Sequence, residues 1–299
     1  MKWNFVRYVV CVISLMAIPC ASAPGQKAAG CASCDEWNKP QKPFRIFGNT
    51  YYVGPRGLSS VLVTSKDGHV LLDGDMPESA RLIADNIRTL GFRIEDIKLI
   101  VNSHAHFDHA GGIAELQHRS GARVVVSEWS AQVLRKGTVG KGDPQFGTIP
   151  PLAAVKNVSV FRDGESLHVG EITITPHLTP GHTPGGTSWT WKSCEGSVCH
   201  DMIYADSLNP VSAPGFRFSR SHDYPQAIAD FEKSFAFFDT APCDILITAH
   251  PDASGLFDRF ARREEGVKPD PMVDAQACRK YAASGREKLS QRLAREGKK

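Results

Sequence analysis

His104-Ala105-His106-Phe107-Asp108-His109, followed by Ala110-Gly111-Gly112, is the stretch on which the reading of this chain turns. Four metal-ligand side chains within six positions are hard to explain by packing, because neutral imidazoles and a carboxylate are costly to bury without partners. The apolar run Ile97 to Val101 reads as a strand, so the motif begins just past a strand end, where α/β folds build their sites. Side chains alternate along an extended segment, so His104 and His106 point the same way and can grip one metal ion. As the chain turns into a helix, Asp108 and His109 are carried round to a second position, and Gly111 and Gly112 let the backbone pass close behind. Zinc takes His nitrogen and carboxylate oxygen, usually with four ligands, so three protein ligands leave one position for solvent, as catalysis requires.

Two further histidines extend the set. His182 lies in the tight loop Thr179-Pro180-Gly181-His182-Thr183-Pro184-Gly185-Gly186, and His250 follows the apolar strand Ile245-Leu246-Ile247-Thr248-Ala249 and precedes Pro251. Both occupy loops after strands, as the first cluster does. His69, His118, His168, His177, His200 and His222 lack ligand spacing and read as surface or structural residues.

Around these motifs the chain reads as two β-then-α halves with no tight internal repeat, which excludes solenoids and propellers. In the first half, β-like segments run from Thr50 to Val53, Ser60 to Thr64 and His69 to Leu72, and a helix with one apolar face runs from Pro77 to Leu90. In the second half, strands are expected over Leu167 to Thr175, Ser188 to Lys192, Met202 to Tyr204 and Ile245 to Thr248. Helices are expected over Tyr224 to Phe238 and from about Asp274 to Arg295. Trp189 and Trp191 alternate on a strand and so pack on one face.

The chain has 299 residues, 41% of them hydrophobic, enough apolar material for one sizeable core. Its start combines the charged residues Lys2 and Arg7, a short apolar run from Tyr8 to Ile18 and the small-residue site Ala21-Ser22-Ala23. That is a cleavable signal peptide over 1–23, too short to span a membrane, leaving one domain over 24–299. A lipoprotein reading through Cys20 is disfavoured by Pro19 before it. Cleavage leaves 33 basic against 32 acidic residues, which gives no support for binding nucleic acid or an anionic membrane. The mature cysteines, Cys31, Cys34, Cys194, Cys199, Cys243 and Cys278, are even in number, and in an exported chain this suggests disulfides. Cys194 and Cys199 bracket a turn, and Cys243 with Cys278 would tie a late strand to the last helix. Cys31 and Cys34 could instead be redox-active or half of a zinc ribbon, although no second CxxC exists.

On the residues His104 to His109 the chain resembles the metallo-β-lactamase superfamily, whose HxHxDH signature they match without a gap. The likeness runs from about Phe44 to the C-terminal helix. It implies an α/β fold, the αβ/βα four-layer sandwich of two mixed β-sheets flanked by helices. It also implies two Zn(2+) per chain, one on His104, His106 and His182, the other on Asp108, His109 and His250. Fold alone names no substrate. Where relatives with a cysteine ligand carry Cys, this chain reads Ala205-Asp206-Ser207-Leu208-Asn209-Pro210, and Ser at 207 resembles the pattern of the subclass B3 metallo-β-lactamases. So do the stretches Pro180 to Trp191, Cys243 to Leu246 and Phe44 to Val53.

That resemblance implies a periplasmic, monomeric β-lactamase that confers resistance to penicillins, cephalosporins and carbapenems by attack of a hydroxide shared by two zinc ions. Asp108 would hold the second zinc, orient solvent and relay a proton. Ser207 and Asn209 would bind the substrate carboxylate. Asp206 has two readings: a structural carboxylate bonded to neighbouring backbone, which is favoured, or a metal-bridging group as in glyoxalase II. Asp73 either supports a ligand loop or simply occupies a turn beside Gly74. Phe146 and Ile149 either wall the cleft or pack as exposed loop. The alternative activity is that of a lactonase or a thioesterase of the glyoxalase II type, and a non-enzymatic zinc-binding role is disfavoured by the spare coordination positions.

Overall fold

The computed structural model describes residues 1–3 and 31–298, so the expected signal peptide lies, but for its first three residues, outside the described residues. Strands β1 (Phe44–Phe47), β2 (Thr50–Tyr52), β3 (Val61–Ser65), β4 (Gly68–Leu72), β5 (Ile97–Val101), β6 (Arg123–Val126) and β7 (Val158–Val160) form one sheet in sequence order. Its first half is antiparallel and β4 to β7 are parallel. Strands β8 (Leu167–Val169), β9 (Ile172–Leu178), β10 (Thr187–Glu195), β11 (Val198–Ala205) and β12 (Ile245–Thr248) form the second, antiparallel except for the β11 to β12 pair.

The central strands are apolar on both faces because both faces are covered. Val61, Val63, Val70, Leu72, Leu99 and Val101 turn inward and meet Ile174, Trp189, Met202, Tyr204 and Ile247 of the other sheet. The alternate residues Leu62, Leu71, Ile100 and Val124 turn outward, under helices α2 (Ser79–Thr89), α4 (Ile113–Ser120) and α5 (Glu128–Lys136). On the far side, Ile203, Ala205 and Leu246 pack beneath α6 (Ala227–Thr240) and α8 (Ala277–Gly297), where Phe231, Phe235, Phe238 and Tyr281 fill the layer. Helix, sheet, sheet and helix are thus the four layers expected. The other α-helices of the described residues are α1 (Cys34–Trp37), α3 (Phe107–Ala110) and α7 (Leu256–Glu264).

Trp189 and Trp191 share the inner face as expected, and each fastens the sheets together with its indole N–H. Trp189 donates to the Asn102 carbonyl at 2.8 Å and Trp191 to the Thr50 hydroxyl at 3.0 Å. Disulfides join Cys31 to Cys34, Cys194 to Cys199 and Cys243 to Cys278. The second closes the β10 to β11 hairpin, whose turn places Gly196 at φ +58°, and the third ties the approach to β12 to the start of α8.

One expected element is two. The strand anticipated over Leu167 to Thr175 folds back on itself, because Gly170, at φ +55°, makes the turn between β8 and β9. Helices α4, α5 and α7 and strands β6 and β7 were not anticipated. In α4 just Ile113 and Leu116 are buried, too short a stripe to stand out. For α5 a signal was present: Ser127 caps its N-terminus by accepting from Ser130 N, and Gly137 ends it at φ +77°. No helix of the described residues is long and apolar enough to cross a membrane.

Candidate metal centre

The cluster begins where β5 ends. Asp73, at the end of neighbouring β4 and at φ +59°, accepts from the backbone N–H and the hydroxyl of Ser103, both at 2.6 Å, and from the Tyr204 hydroxyl at 2.7 Å. This buried carboxylate therefore fixes the residue that precedes the first histidine, which settles the expectation for Asp73 in favour of support for a ligand loop. His104 and His106 follow on extended backbone, their ring centroids 4.5 Å apart. The chain then enters α3, which carries Asp108 and His109 round as the sequence required. A Cβ on Gly112 would lie 2.2 Å from the Gly74 carbonyl oxygen, so the glycine serves close approach here.

Four of the five imidazoles are held through one nitrogen; the Nδ1 of the fifth, His109, lies 3.6 Å from the Asp73 carboxylate, and the second nitrogen of His106 is 3.4 Å from the Gln145 amide. His104 Nδ1 donates to Asp206 Oδ1 at 2.7 Å, while its Nε2 is buried without a partner. His182 Nδ1 donates to the Asn209 carbonyl at 2.7 Å and His250 Nδ1 to the Gly57 carbonyl at 3.2 Å, since a carbonyl can only accept. His106 is turned the other way, with Nε2 donating to the Asp143 carboxylate at 3.0 and 3.1 Å. Fixing the far nitrogen in this manner is how proteins orient metal-binding histidines.

What remains are two sets of atoms. One ligand atom each from His104, His106 and His182 falls within 4.8 Å of the others, and His104 is equally close to Asp108 and His109, so the two sets share a wall. In the second set, His109 Nε2 lies 3.3 Å from His250 Nε2, and Asp108 Oδ2 lies 3.4 Å from both. Ligands at about 2.0 to 2.1 Å from a tetrahedral ion stand about 3.3 Å apart, so this triangle has the dimensions of a zinc cage. The donor set, the unpartnered His104 Nε2 and this spacing all fit metal ions, and the six residues expected to bind them are brought together.

Electrostatics point the same way. Burial and the surrounding imidazoles hold His104 well below its ordinary pKa, and burial with His106 beside it brings His182 down to about 3. Both are therefore neutral and ready to donate electron pairs. Burial opposes charge on His109, yet Asp108, Asp73 and Asp75 outweigh it and push that imidazole up to about 9. Burial likewise opposes charge on Asp108, but His109 and His250 hold it below the carboxylate range. A cation entering the second set must displace the His109 proton.

Asp206 is a buried structural carboxylate, as favoured, although its bond is to the His104 imidazole and not to backbone alone. It stands behind His104, on the ring nitrogen that faces away from the cluster, rather than between the two sets. Burial pushes its carboxyl well above the ordinary range, and its Oδ2 has no partner. Asp143 was missed altogether. It lies in a Gly/Pro-rich stretch with nothing local to mark it, although it is buried against His106 and also accepts from Gln145 N at 2.8 Å. Replacing Asp143 by Ala is expected to weaken metal binding about 10- to 100-fold, read by competition with a chromogenic chelator. Unchanged affinity would show that His106 needs no such anchor.

The cluster floors a cleft of about 390 Å³, in the range of small-molecule sites. Ser207 and Asn209 line it as expected, and so does Ile149. Phe146 does not: a turn in which its N–H bonds to the Asp143 carbonyl leaves the ring 46% exposed and outside the cleft. Cys31 and Trp37 line the mouth, with Trp37 tilted against His250 at 5.0 Å between centroids. Tyr281, Gly285 and Lys288 of α8 complete one side. No local pattern marks these contributions from the two chain ends.

The family model of the metallo-beta-lactamase superfamily matches residues 53–250, and the chain belongs to that superfamily. Among solved structures it is similar to the Rm3 metallo-beta-lactamase, at 56% identity and a TM-score of 0.88 over 90% of this chain and 99% of that one. It is also similar to MEM-A1, a subclass B3 metallo-beta-lactamase isolated from a soil metagenome library, at 52% identity and a TM-score of 0.85 over 87% of this chain and 98% of that one. The hydroxyacylglutathione hydrolase of Bradyrhizobium sp. (strain ORS 278) is 26% identical over 132 residues, which cover 44% of this chain and 42% of that protein. The chain spans about half the length of such curated relatives. The subclass B3 resemblance seen around Ser207 and His182 is thus found again in whole structures.

Proposed function

We propose that this chain is a zinc-dependent β-lactamase of subclass B3, which opens the β-lactam amide bond of penicillins, cephalosporins and carbapenems and so confers resistance. The observation that carries the proposal is the pair of adjacent three-ligand sets, His104, His106 and His182 beside Asp108, His109 and His250, at the floor of one cleft. Two zinc ions bound there would supply an activated water and polarise the lactam carbonyl.

The remaining work falls to the chain. Asp108, kept ionised by His109 and His250, orients the attacking water and receives its proton. As the C–N bond breaks, that proton is returned to the lactam nitrogen. Ser207 and Asn209, on the cleft wall, hold the substrate carboxylate, while Ile149 and Trp37 keep water from the remainder of the ring system. Lactone or thioester hydrolysis of the glyoxalase II type is the second reading, favoured by the hydroxyacylglutathione hydrolase match. The place of Asp206 behind His104, where it does not bridge, supports the first.

Export to the periplasm after cleavage behind Ala23 belongs to the same proposal, supported by the three disulfides, which persist in oxidising compartments. Action as a monomer belongs to the same proposal. Assaying imipenem, nitrocefin and an acyl-homoserine lactone side by side, with and without EDTA, tests the function. Turnover of both β-lactams that EDTA abolishes is expected. Turnover of the lactone alone would overturn the proposal.

A further inference from the structure

Helix α8 contributes more than packing to the cleft. Tyr281, Gly285, Lys288 and Arg292 fall on one face of it, at spacings of four, three and four residues. That face lies along the segment 206–216, and three of the four residues are committed to holding it. The Tyr281 hydroxyl donates to the Asp206 carbonyl at 2.8 Å and accepts from Leu208 N at 3.1 Å. Gly285 lets the backbones close up, since a Cβ there would lie 2.7 Å from the Phe235 ring and 3.0 Å from Leu208 Cβ. Arg292 donates to Ser212 Oγ at 2.7 Å, to the Phe216 carbonyl at 2.8 Å and to the Pro210 carbonyl at 3.3 Å. The segment that carries Ser207 and Asn209 is therefore stapled to α8 at both ends.

Lys288 sits between the staples and is tied to nothing. It is exposed, and it makes no ion pair or hydrogen bond among the described residues. It lines the cleft above the ligand cluster, as Asn209 and Val211 do, and among the cleft's described residues it is the one Lys or Arg. The staples on either side fix where its ammonium can reach. We propose that Lys288 is a substrate-binding residue that pairs with the carboxylate carried by the ring fused to the lactam, thereby selecting anionic β-lactams. This rests on the β-lactamase reading of the cleft. The chemistry is that of one cation facing one carboxylate at the rim of a site, where such a charge speeds encounter and orients the ligand.

The test compares wild type, Lys288→Gln and Lys288→Arg on nitrocefin and on nitrocefin methyl ester, with zinc content measured on each protein. Expected is a KM for nitrocefin about five- to tenfold higher in K288Q, with kcat within about twofold, the loss largely restored in K288R. The methyl ester lacks the charge, so its KM should be the same in all three proteins. The fall of wild-type kcat/KM with added NaCl should flatten in K288Q. Equal nitrocefin KM in wild type and K288Q would overturn the proposal, and so would an equal loss on acid and ester, which would mean that only packing had changed. If wild type itself turned over no β-lactam, the reading of the cleft would fail first, and that result is distinct from either.

Discussion

Asp108→Ala should lower kcat for nitrocefin by at least about 10³-fold while leaving the folded chain intact. The side chain supplies one of three atoms in the second set, 3.4 Å from both His109 and His250, and is the proposed acceptor of the water's proton. Without it, two imidazoles remain, too few to hold a catalytic ion tightly. The cost to folding is small because Asp108 is partly open to the cleft, its side chain 16% exposed, so truncation leaves no closed cavity. Steady-state kinetics in zinc-replete buffer, with urea unfolding in parallel, check both halves. Near-normal turnover would remove Asp108 from the chemistry.

Asp73→Ala should do the reverse and destabilise the fold by about 3 to 5 kcal/mol. This carboxylate is fully buried, and it links β4, the Ser103 turn after β5, and Tyr204 of β11, so it spans both sheets. It also stands 3.6 Å from His109 Nδ1, on the side of the ring away from the second set. Truncation would strand the Ser103 N–H and hydroxyl in a dry interior, each such loss costing about 1 to 3 kcal/mol. Alanine is additionally strained at φ +59°, a conformation that Asp and Asn tolerate better. Asp73→Asn should therefore lose less, and Asp73→Gly separates the strain from the hydrogen bonds. Urea midpoints of the metal-free proteins decide it: a loss under about 1 kcal/mol for Asp73→Ala would show that the network is dispensable.

The six expected ligands were legible because each lies in or beside a local signal. His104 to His109 form one contiguous motif after an apolar strand, and His182 and His250 sit in Pro-bearing loops that also follow strands. Strands β5 and β12 were read to the residue for the same reason, as apolar runs with polar residues beyond. What the sequence hid is long-range. Asp143 reaches His106 across 37 positions, Asp206 reaches His104 across 102, and Lys288 lines the same cleft as Asn209 where Tyr281 and Arg292 pin α8 to that loop. Phe146 and Ile149, left open between cleft wall and exposed loop, divide between the two, since the turn after Asp143 decides which of them faces the cleft. No periodicity encodes such partnerships, which arise when the two sheets close on each other.

The proposed activity needs two adjacent metal positions, so the most direct measurement is a zinc titration of chelator-stripped protein, with bound metal by native mass spectrometry and nitrocefin turnover read on the same samples. Two equivalents bound per chain, with activity rising as they load and disappearing again on chelation, is the predicted result. Binding that saturates below one equivalent, or turnover that persists in the stripped protein, would contradict it.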